Sequence, residues 1–273
     1  MKKAIIYLFS ATGNTEKVTK FFAEGLINNG VKTEVKKIED GEDFKSADYI
    51  GIAYPIHAFS APENVLRFAE NMTDGNEKVF FIKTGGECLH YNDASSGKLA
   101  KILREKGYDT VADFMYVMPY NMLYRHSDSM ADKMYFTAKR KAARDAAKLV
   151  SGKKSKVGKD TPVSIIFRSV EQPFMKINGK HFKVDYDKCV GCNACVNSCP
   201  QKNITVENGK FVFGNNCIGC VRCSFCCPKS AISIGLIDMW KVNGKYRFGT
   251  EEPQEYEVKY LKKSYKKYFD ENA

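Results

Sequence analysis

The 273-residue sequence predicts an α/β fold with a doubly wound parallel sheet, followed by a second, smaller unit rich in cysteine. Two observations carry this prediction. Through residues 1–150, short apolar runs alternate with amphipathic segments, which is the pattern of parallel strands joined by helices. Nine of the ten cysteines lie between Cys189 and Cys227, so a separate unit follows the sheet. The hydrophobic share of 44% excludes a largely disordered chain.

Five strands and four helices are predicted within residues 1–150. The first apolar run follows two lysines, as in a signal peptide, but no small-x-small cleavage site is present, so we interpret it as a buried strand. The first helix has apolar residues at helical spacing and ends at Gly30. The strands are Lys3–Phe9, Val31–Ile38, Tyr49–Tyr54, Lys78–Lys83 and Thr110–Met118. The helices lie near Asn14–Asn29, Pro62–Met72, Ala94–Lys106 and Ser129–Val150.

Three further segments are predicted after residue 150. Residues 151–183 begin as a flexible basic linker, but Ser164–Val170 and Phe174–Ile177 are more apolar, and we expect them to pack against the rest of the chain. Residues 184–235 hold the cysteine block, and residues 236–273 end in an amphipathic helix. The apolar side of that helix carries Val258, Leu261, Tyr265 and Phe269.

The cysteine block contains an internal repeat. Both copies read C-x-x-C-x-x-C-x-x-x-C-P, and the second begins at Cys217, 28 residues after Cys189. Three closely spaced thiolates suit one iron–sulfur cubane, while the fourth cysteine, at the start of a turn, points toward another cluster. A pair of zinc ribbons is the alternative, but zinc has no use for a third evenly spaced cysteine followed by Cys-Pro in both copies.

This pattern resembles that of bacterial ferredoxins, small α+β domains with two [4Fe–4S] clusters. The resemblance implies that each cluster takes three cysteines from one repeat and the fourth from the other. One cluster is then held by Cys189, Cys192, Cys195 and Cys227. The other is held by Cys199, Cys217, Cys220 and Cys223. Cys226 is adjacent to Cys227 and competes with it for the position of the fourth ligand, but the register of the repeat favours Cys227. We interpret Cys226 as a buried free thiol.

The loop after the first predicted strand has the chemistry of an anion site. The hydroxyl groups of Ser10, Thr12 and Thr15 can donate to a phosphate at the N-terminus of the following helix. Gly13 and Asn14 add unobstructed backbone N–H groups. The loop has too few glycines for a dinucleotide-binding motif and lacks the lysine of an ATP-binding loop.

With the predicted fold around it, this loop resembles the phosphate loop of flavodoxins, (S/T)-x-T-G-x-T. The resemblance implies FMN as the cofactor, and a flavodoxin-like five-stranded sheet of order 2-1-3-4-5 with FMN at its switch point. A second flavin loop then follows the third strand, and a third loop follows the fourth strand. The residues implied in these loops are Pro55, His57, Ala58, Phe59, Thr84, Gly85, Gly86 and Tyr91. His57, Phe59 and Tyr91 are the candidates for flanking the flavin ring.

Together, the two parts resemble flavodoxin–ferredoxin fusion proteins of anaerobic bacteria and archaea over about residues 1–235. Gly85-Gly86 and Met118-Pro119-Tyr120-Asn121 match segments of that group. The resemblance implies an electron-transfer protein that relays electrons between [4Fe–4S] clusters and FMN, coupling one-electron carriers to a one- or two-electron acceptor. The alternative is a ferredoxin-fed, FMN-dependent reductase of a bound small molecule. It ranks second because no acid–base constellation stands out.

Part of the net charge of +11 is concentrated in residues 139–159, which hold nine Lys or Arg and one acid, Asp145. Ala138, Ala142 and Ala146 share one side of this predicted helix, so we interpret it as docked, with a solvated cationic face, and not as a nucleic-acid site. We expect an acidic redox partner, such as a ferredoxin or an acceptor oxidoreductase, because charge speeds such encounters. We expect no membrane span and a cytoplasmic location, where disulfides are rare.

Several other residues near the predicted flavin loops have a functional and a structural interpretation. Cys88 could touch a substrate, but a packed thiol is the simpler interpretation. His90 and His126 could donate protons, although a solvent-exposed or loop-stabilising role is simpler. Two interpretations fit Tyr120, Asn121 and Tyr124 equally well: a place at the flavin or at the seam between the domains, and ordinary packing.

Overall fold

A computed structural model describes residues 1–41, 44–87, 90–249, 251, 253–255, 258 and 262–273. Its N-terminal part contains a parallel sheet of order β2-β1-β3-β4-β5, so the predicted fold class and strand order are confirmed. The strands are β1 (Lys3–Leu8), β2 (Lys32–Lys37), β3 (Tyr49–Pro55), β4 (Lys78–Gly85) and β5 (Asp109–Val117). The helices are α1 (Asn14–Asn28), α2 (Glu63–Asn71), α3 (Gly97–Glu105) and α4 (Asp128–Val150).

Helices cover both faces of the sheet, which is why its central strands are continuously apolar. On one face, Phe22 of α1 packs on Phe80 of β4, with ring centroids 5.3 Å apart. The helix α4 also packs on this face of the sheet. Its side predicted to be docked is confirmed, because Ala138, Ala142 and Ala146 are fully buried. On the other face, α2 and α3 bury a second apolar cluster. Among the described residues no helix is long and apolar enough to cross a bilayer.

The segment predicted as a flexible linker contains a helix, α5 (Pro162–Gly179). It begins with a capping box: the Ser164 N–H donates to the Thr161 side chain, and the Thr161 N–H donates to the Ser164 hydroxyl. This helix start signal, Thr161 followed by proline, was not recognised in the sequence because a run of basic residues precedes it. The predicted packing is wrong for most apolar residues of α5. Those exposed are Ile165, Ile166, Phe167, Val170 and Ile177.

The cysteine-rich part is a small α+β unit. Two antiparallel pairs of strands, β6 with β9 and β7 with β8, frame two short helices. In chain order the elements are β6 (Lys183–Val184), α6 (Ala194–Ser198), β7 (Ile204–Glu207), β8 (Lys210–Phe213), α7 (Arg222–Phe225) and β9 (Ile232–Ser233).

The C-terminal helix, α8 (Lys263–Glu271), packs on the parallel sheet and not on the cysteine-rich unit. Tyr265 and Phe269 are buried, as predicted, and contact residues of β5 and α4. Val258 precedes the helix and is half-buried, while Leu261 lies outside the described residues. The end of the tail is therefore part of the N-terminal unit, whereas Ile237 near its start packs in the apolar cluster of the cysteine-rich unit.

Candidate functional site

Two cavities in the cysteine-rich unit are lined by cysteines. The first is lined by Cys189, Cys192, Cys195 and Cys227. The second is lined by Cys199, Cys217, Cys220 and Cys223. The structure therefore brings together both predicted ligand sets, each with three free thiols from one repeat and one from the other.

Backbone N–H groups hydrogen-bond to the crossing cysteine of each repeat in the same way. The Asn203 N–H donates to Cys199 Sγ at 3.3 Å, and the Ala231 N–H, 28 residues later, donates to Cys227 Sγ at 3.2 Å. Such donors stabilise thiolate sulfur and tune the potential of a bound cluster. The two copies of the sequence repeat thus share the same hydrogen bond to their crossing cysteine.

The cysteine sets suit an iron–sulfur cluster better than a single zinc ion. Burial raises the pKa of the Cys220 thiol to about 12 and also raises the pKa of Cys195 and Cys223, so the apolar walls disfavour bare thiolates. A cationic cluster core offsets that cost. Four sulfurs spread around a cavity fit a polynuclear cluster.

Cys226 lies outside both cavities. Its Sγ is 3.3 Å from the Ser198 hydroxyl oxygen, and it lines a cleft next to the phosphate loop. The expected buried thiol is therefore half-buried. Its neighbour Cys227 lines the first cavity, which agrees with the register of the repeat.

The phosphate loop leads into the N-terminus of α1, where Gly13 has a φ of +98°. A Cβ added to Gly13 would meet no atom within 4 Å, so the loop faces open space. That space is a cleft of about 490 Å³, whose lining includes Ser10 and Thr12. Ser10 Oγ accepts a hydrogen bond from the Glu16 N–H at 3.1 Å, which fixes the first helical turn. Hydroxyl groups and a helix N-terminus around an open cradle fit a phosphate monoester.

Hydroxyl and amide groups join the phosphate loop and the start of α1 to the end of β4 and to the loop after β5. Thr15 Oγ1 and Thr84 Oγ1 are 2.8 Å apart, and both residues are almost fully buried. The Asn121 side-chain amide donates to Thr12 Oγ1 at 3.3 Å. Asn121, for which the sequence left two roles open, thus lies at the same edge of the sheet as the predicted flavin residues.

The second flavin loop makes a sharp turn after β3. Ala58 and Phe59 have φ values of +41° and +60°, and His57 and Ser60 exchange backbone hydrogen bonds. Non-glycine residues adopt such a conformation at an energetic cost, which functional sites often carry. The turn places the Phe59 ring 5.6 Å from the ring of Tyr91. Two of the three predicted flavin-flanking side chains therefore contact each other.

Tyr120 and α8 clamp the third flavin loop. A Cβ at Gly86 would lie 2.2 Å from the Tyr120 ring, so glycine is required there. The Tyr265 hydroxyl donates to the Gly86 carbonyl at 2.7 Å. Cys88 lies outside the described residues, as does the side chain of His90. The sequence did not predict Tyr265 as a site residue, because the apolar spacing of this helix indicates packing alone.

His126 completes this clamp. Its Nδ1 accepts a hydrogen bond from the Tyr120 N–H at 3.3 Å, and its Nε2 lies 3.0 Å from Tyr265 Oη. Burial lowers the pKa of His126 to about 4, so the ring is neutral and Nε2 carries its proton. The hydrogen bonds then run from the Tyr120 backbone through His126 and Tyr265 to the Gly86 carbonyl. Because a peptide group is planar, fixing this carbonyl also fixes the following N–H.

The second cysteine repeat contacts the flavin loops. His57 and Ile218, which lies between Cys217 and Cys220, line the same pocket, and the Ile218 backbone is close enough to influence the pKa of the His57 ring. Ile218 and Cys220 are also buried in the apolar cluster of the parallel sheet. Burial lowers the pKa of His57 to about 4. The second cysteine cavity therefore lies against the flavin-binding edge.

Arg222 ties the second repeat to the phosphate loop. Its Nη2 donates to the Ser10 carbonyl at 2.7 Å, and its Nε donates to the Ala11 carbonyl at 3.0 Å. Nη2 also lies 2.6 Å from the Glu39 carboxylate. Its Nη1 donates to the Ser198 carbonyl at 3.0 Å, so the guanidinium group uses its donors on three carbonyls and one acid.

A difference between the two repeats in the sequence corresponds to this contact. The repeats differ at the residues between the cysteines: Ala194 occupies the position of Arg222, and Val190 that of Ile218. Val190 is 58% exposed, whereas Ile218 is 6% exposed. An arginine and a larger apolar residue in one repeat indicate which repeat contacts another surface.

Comparison with known families assigns both parts of the chain. A flavodoxin domain model matches residues 5–87, and a 4Fe-4S binding domain model matches residues 182–205. No match to a curated protein was found. The chain therefore has the architecture of a flavodoxin–ferredoxin fusion protein, and it is an electron-transfer flavoprotein with an iron–sulfur domain.

Several solved structures resemble the N-terminal part. A short-chain flavodoxin associated with a non-canonical PDU bacterial microcompartment has 20% identity over 56% of this chain and 100% of that chain, with a TM-score of 0.41. Rubredoxin oxygen:oxidoreductase from Desulfovibrio gigas has 17% identity over 56% and 37% of the two chains, with a TM-score of 0.39. NAD(P)H:quinone oxidoreductase from Methanothermobacter marburgensis has 15% identity over 54% and 94%, with a TM-score of 0.39.

Proposed function

We propose that the protein relays electrons between an external one-electron carrier and FMN through two [4Fe–4S] clusters. In this proposal, the cluster in the first cavity is the outer cluster, and that in the second cavity is the inner cluster. The observation that carries the proposal is the double contact of the 217–223 loop with the flavin loops. Ile218 touches His57 of the second loop, and Arg222 holds the phosphate loop.

The 4Fe-4S binding domain model matches the first repeat, so the proposed second cluster rests on the geometry of the second repeat. Gly191 and Gly219 both have a φ of +67°, and Asn193 and Val221 have φ values of +54° and +49°. Loops with the same backbone conformation and the same cysteine spacing present their sulfurs in the same way. Both cavities are therefore proposed to take the same kind of cluster.

The surroundings of the two cavities support the proposed direction of the relay. Cys192 is exposed and its neighbour Val190 is 58% exposed, so an external carrier can approach the outer cavity closely. Cys220 and Cys223, by contrast, are buried. Because electron transfer requires close approach, the first cavity suits exchange with a separate protein and the second suits internal transfer.

FMN, when bound, exchanges one or two electrons, whereas each cluster exchanges one. The protein residues bind the phosphate at Ser10 and Thr12, hold the third loop through Tyr265, and exclude water at the Ile218–His57 contact. We place this activity in the cytoplasm, where the ligand thiols stay reduced.

The alternative, a reductase of a bound small molecule, needs an open polar pocket over the flavin loops. The Ile218 contact covers part of the second loop, and the Tyr120 ring lies on the third loop at Gly86. Both contacts favour the relay over the reductase.

Anaerobic purification, followed by iron, sulfide and flavin analysis, tests the proposed cofactors. We expect about eight irons and one FMN per chain. Thr12→Ala is expected to lose FMN and keep both clusters, because this hydroxyl lines the cleft in front of the phosphate loop. About four irons per chain would refute the two-cluster relay. A colourless protein that contains zinc would refute an iron–sulfur function.

A further inference from the structure

The helix α5 carries exposed apolar side chains on its outward face, whereas its inward face holds polar side chains together with Met175. Ile166, Val170 and Ile177 are 61%, 65% and 58% exposed, whereas Ser164 and Asn178 are fully buried. Surface helices normally show the opposite pattern. A continuous exposed apolar face marks a surface that another molecule covers.

Polar contacts fix the orientation of α5. The Arg168 guanidinium pairs with both Asp160 oxygens, at 3.1 and 3.2 Å, and Lys176 Nζ lies 2.9 Å from the Glu63 carboxylate. The Asn178 amide donates to the Ile234 carbonyl at 3.0 Å. Because these charged and buried partners would be lost if the helix rotated, its apolar face is held outward.

The outward face continues to the flavin loops and lies over the inner cavity. Phe167, itself 50% exposed, has its ring edge-on to Phe59, with centroids 5.1 Å apart. On its inward side, α5 approaches the inner cysteines, since a Cβ on Gly179 would lie 2.4 Å from Cys217 Cβ. A molecule seated on α5 is therefore close to the flavin-binding edge.

The charge around this face is positive. Lys156 and Lys159 precede α5 and Lys180 follows it; all three are exposed, and none forms an ion pair with any other described residue. The nearby acids are engaged, because Asp160 pairs with Arg168, and burial raises the pKa of Glu171 to about 7. An apolar centre with a cationic rim complements an apolar patch with an acidic rim.

We propose that the outward face of α5, together with Phe59 and Tyr91, docks an acidic electron-carrier protein. The proposal rests on the electron-transfer function proposed above and adds a second exchange surface to it. The exposed outer cavity serves one carrier, and the α5 face, next to the flavin loops and the inner cavity, serves this acidic partner. In each encounter one electron leaves the partner's reduced centre and is gained by this chain, and no bond is formed or broken.

An anionic membrane is the other surface that attracts an apolar face flanked by lysines. Interfacial helices, however, direct the cations of their polar side toward lipid head groups. In α5 the cations of the polar side, Arg168 and Lys176, are paired within the protein. The structure therefore favours a protein partner.

Stopped-flow mixing of the oxidised holoprotein with a reduced, acidic two-[4Fe–4S] ferredoxin tests the proposal. The double variant Ile166→Glu/Val170→Glu places two acids on the face without touching a cofactor loop. We expect its reaction to be at least about tenfold slower than that of the wild type, because like charges then oppose docking. The wild-type rate should fall with added salt. Val206→Glu, at a 47% exposed apolar residue of β7, is the matched control and should react like the wild type.

Three results would overturn the docking surface: equal rates in the double variant and the wild type, no reaction of the wild type with the ferredoxin, or binding to phosphatidylserine vesicles that the double variant abolishes. Reduction by dithionite and the iron and FMN content are measured on the same samples. If these stay normal while the docking effect is absent, the surface assignment fails and the relay stands. If a cluster is missing, the proposed relay itself fails.

Discussion

The two cysteine repeats have the same backbone conformation but lie in different surroundings. Gly191 and Gly219 share a φ of +67°, yet Val190 is 58% exposed and its counterpart Ile218 is 6% exposed. Cysteine and glycine spacing thus sets the shape of each loop. The residues between the cysteines decide what the loop contacts.

Two further pairs show how this difference arises. Where the first repeat has Ala194, the second has Arg222, which reaches the phosphate loop and Glu39. Where the first has Asn197, the second has Phe225, which is buried in the apolar cluster of the parallel sheet. The first repeat has neither of these two side chains.

The largest expected effect concerns the cysteines shared between the repeats. Cys227→Ser removes a sulfur from the first cavity and should reduce the iron content from about eight to about four per chain. Cys226→Ser, at the adjacent residue, should retain the full iron content, because Cys226 lies outside both cavities. Iron and sulfide analysis of the two anaerobically purified variants measures this. Loss of iron in Cys226→Ser alone would reverse the ligand assignment.

Arg222→Ala should cause the next largest effect. The change leaves three backbone carbonyls and the Glu39 carboxylate without their partner, in a place where the arginine side chain is 19% exposed. We expect the free energy of unfolding to fall by about 3 kcal/mol, as measured by denaturant titration of the holoprotein. Arg67→Ala removes an exposed hydrogen bond to Gln201, also between the two units, and is the matched control. A loss of similar size in both variants would show that Arg222 has no special role.

Tyr265→Phe tests the clamp on the third flavin loop. The variant loses the hydrogen bond to the Gly86 carbonyl, so FMN should bind about fivefold more weakly, which corresponds to roughly 1 kcal/mol. Tyr268→Phe is the control, because its hydroxyl accepts from the Val117 N–H on β5, whereas that of Tyr265 donates to the Gly86 carbonyl. FMN titration of the flavin-free proteins, followed by fluorescence, gives both affinities. Equal weakening in the two variants would argue against positioning by Tyr265.

The smallest expected effect is a pH dependence. The pKa of His126 is lowered from 6.5 to about 4 by burial, so below pH 6.5 the unfolded chain binds a proton that the folded chain does not. The free energy of unfolding should therefore decrease as the pH falls from about 6.5 to about 4. His57, whose pKa is also about 4, contributes in the same direction. Urea titrations at pH 7 and pH 5 should show a smaller decrease in His126→Asn than in the wild type, and an equal decrease would contradict the assignment.

The sequence predicted the parts of the structure that depend on periodicity and motif spacing. The five strands and the cysteine repeat are of this kind. The strand order and the grouping of the eight cysteines were implied by the resemblance to flavodoxins and ferredoxins. It did not predict α5, because its inverted pattern places Ile166 and Val170 outward, against the rule that apolar residues are buried. It also did not predict that α8 reaches Gly86, since contacts between distant segments leave no periodic signal. The sequence does contain a signal for the Arg222 contact, because the two repeats differ at this position.

The central claim is that the inner cluster, held by the second repeat, lies next to the flavin. Flavin fluorescence lifetimes test it most directly, because a nearby cluster quenches the flavin and quenching falls steeply with distance. Cys220→Ser should lose the inner cluster and lengthen the lifetime. Cys192→Ser should lose the outer cluster and leave the lifetime close to that of the wild type. A longer lifetime in Cys192→Ser and an unchanged lifetime in Cys220→Ser, with one cluster lost in each, would contradict this placement of the inner cluster.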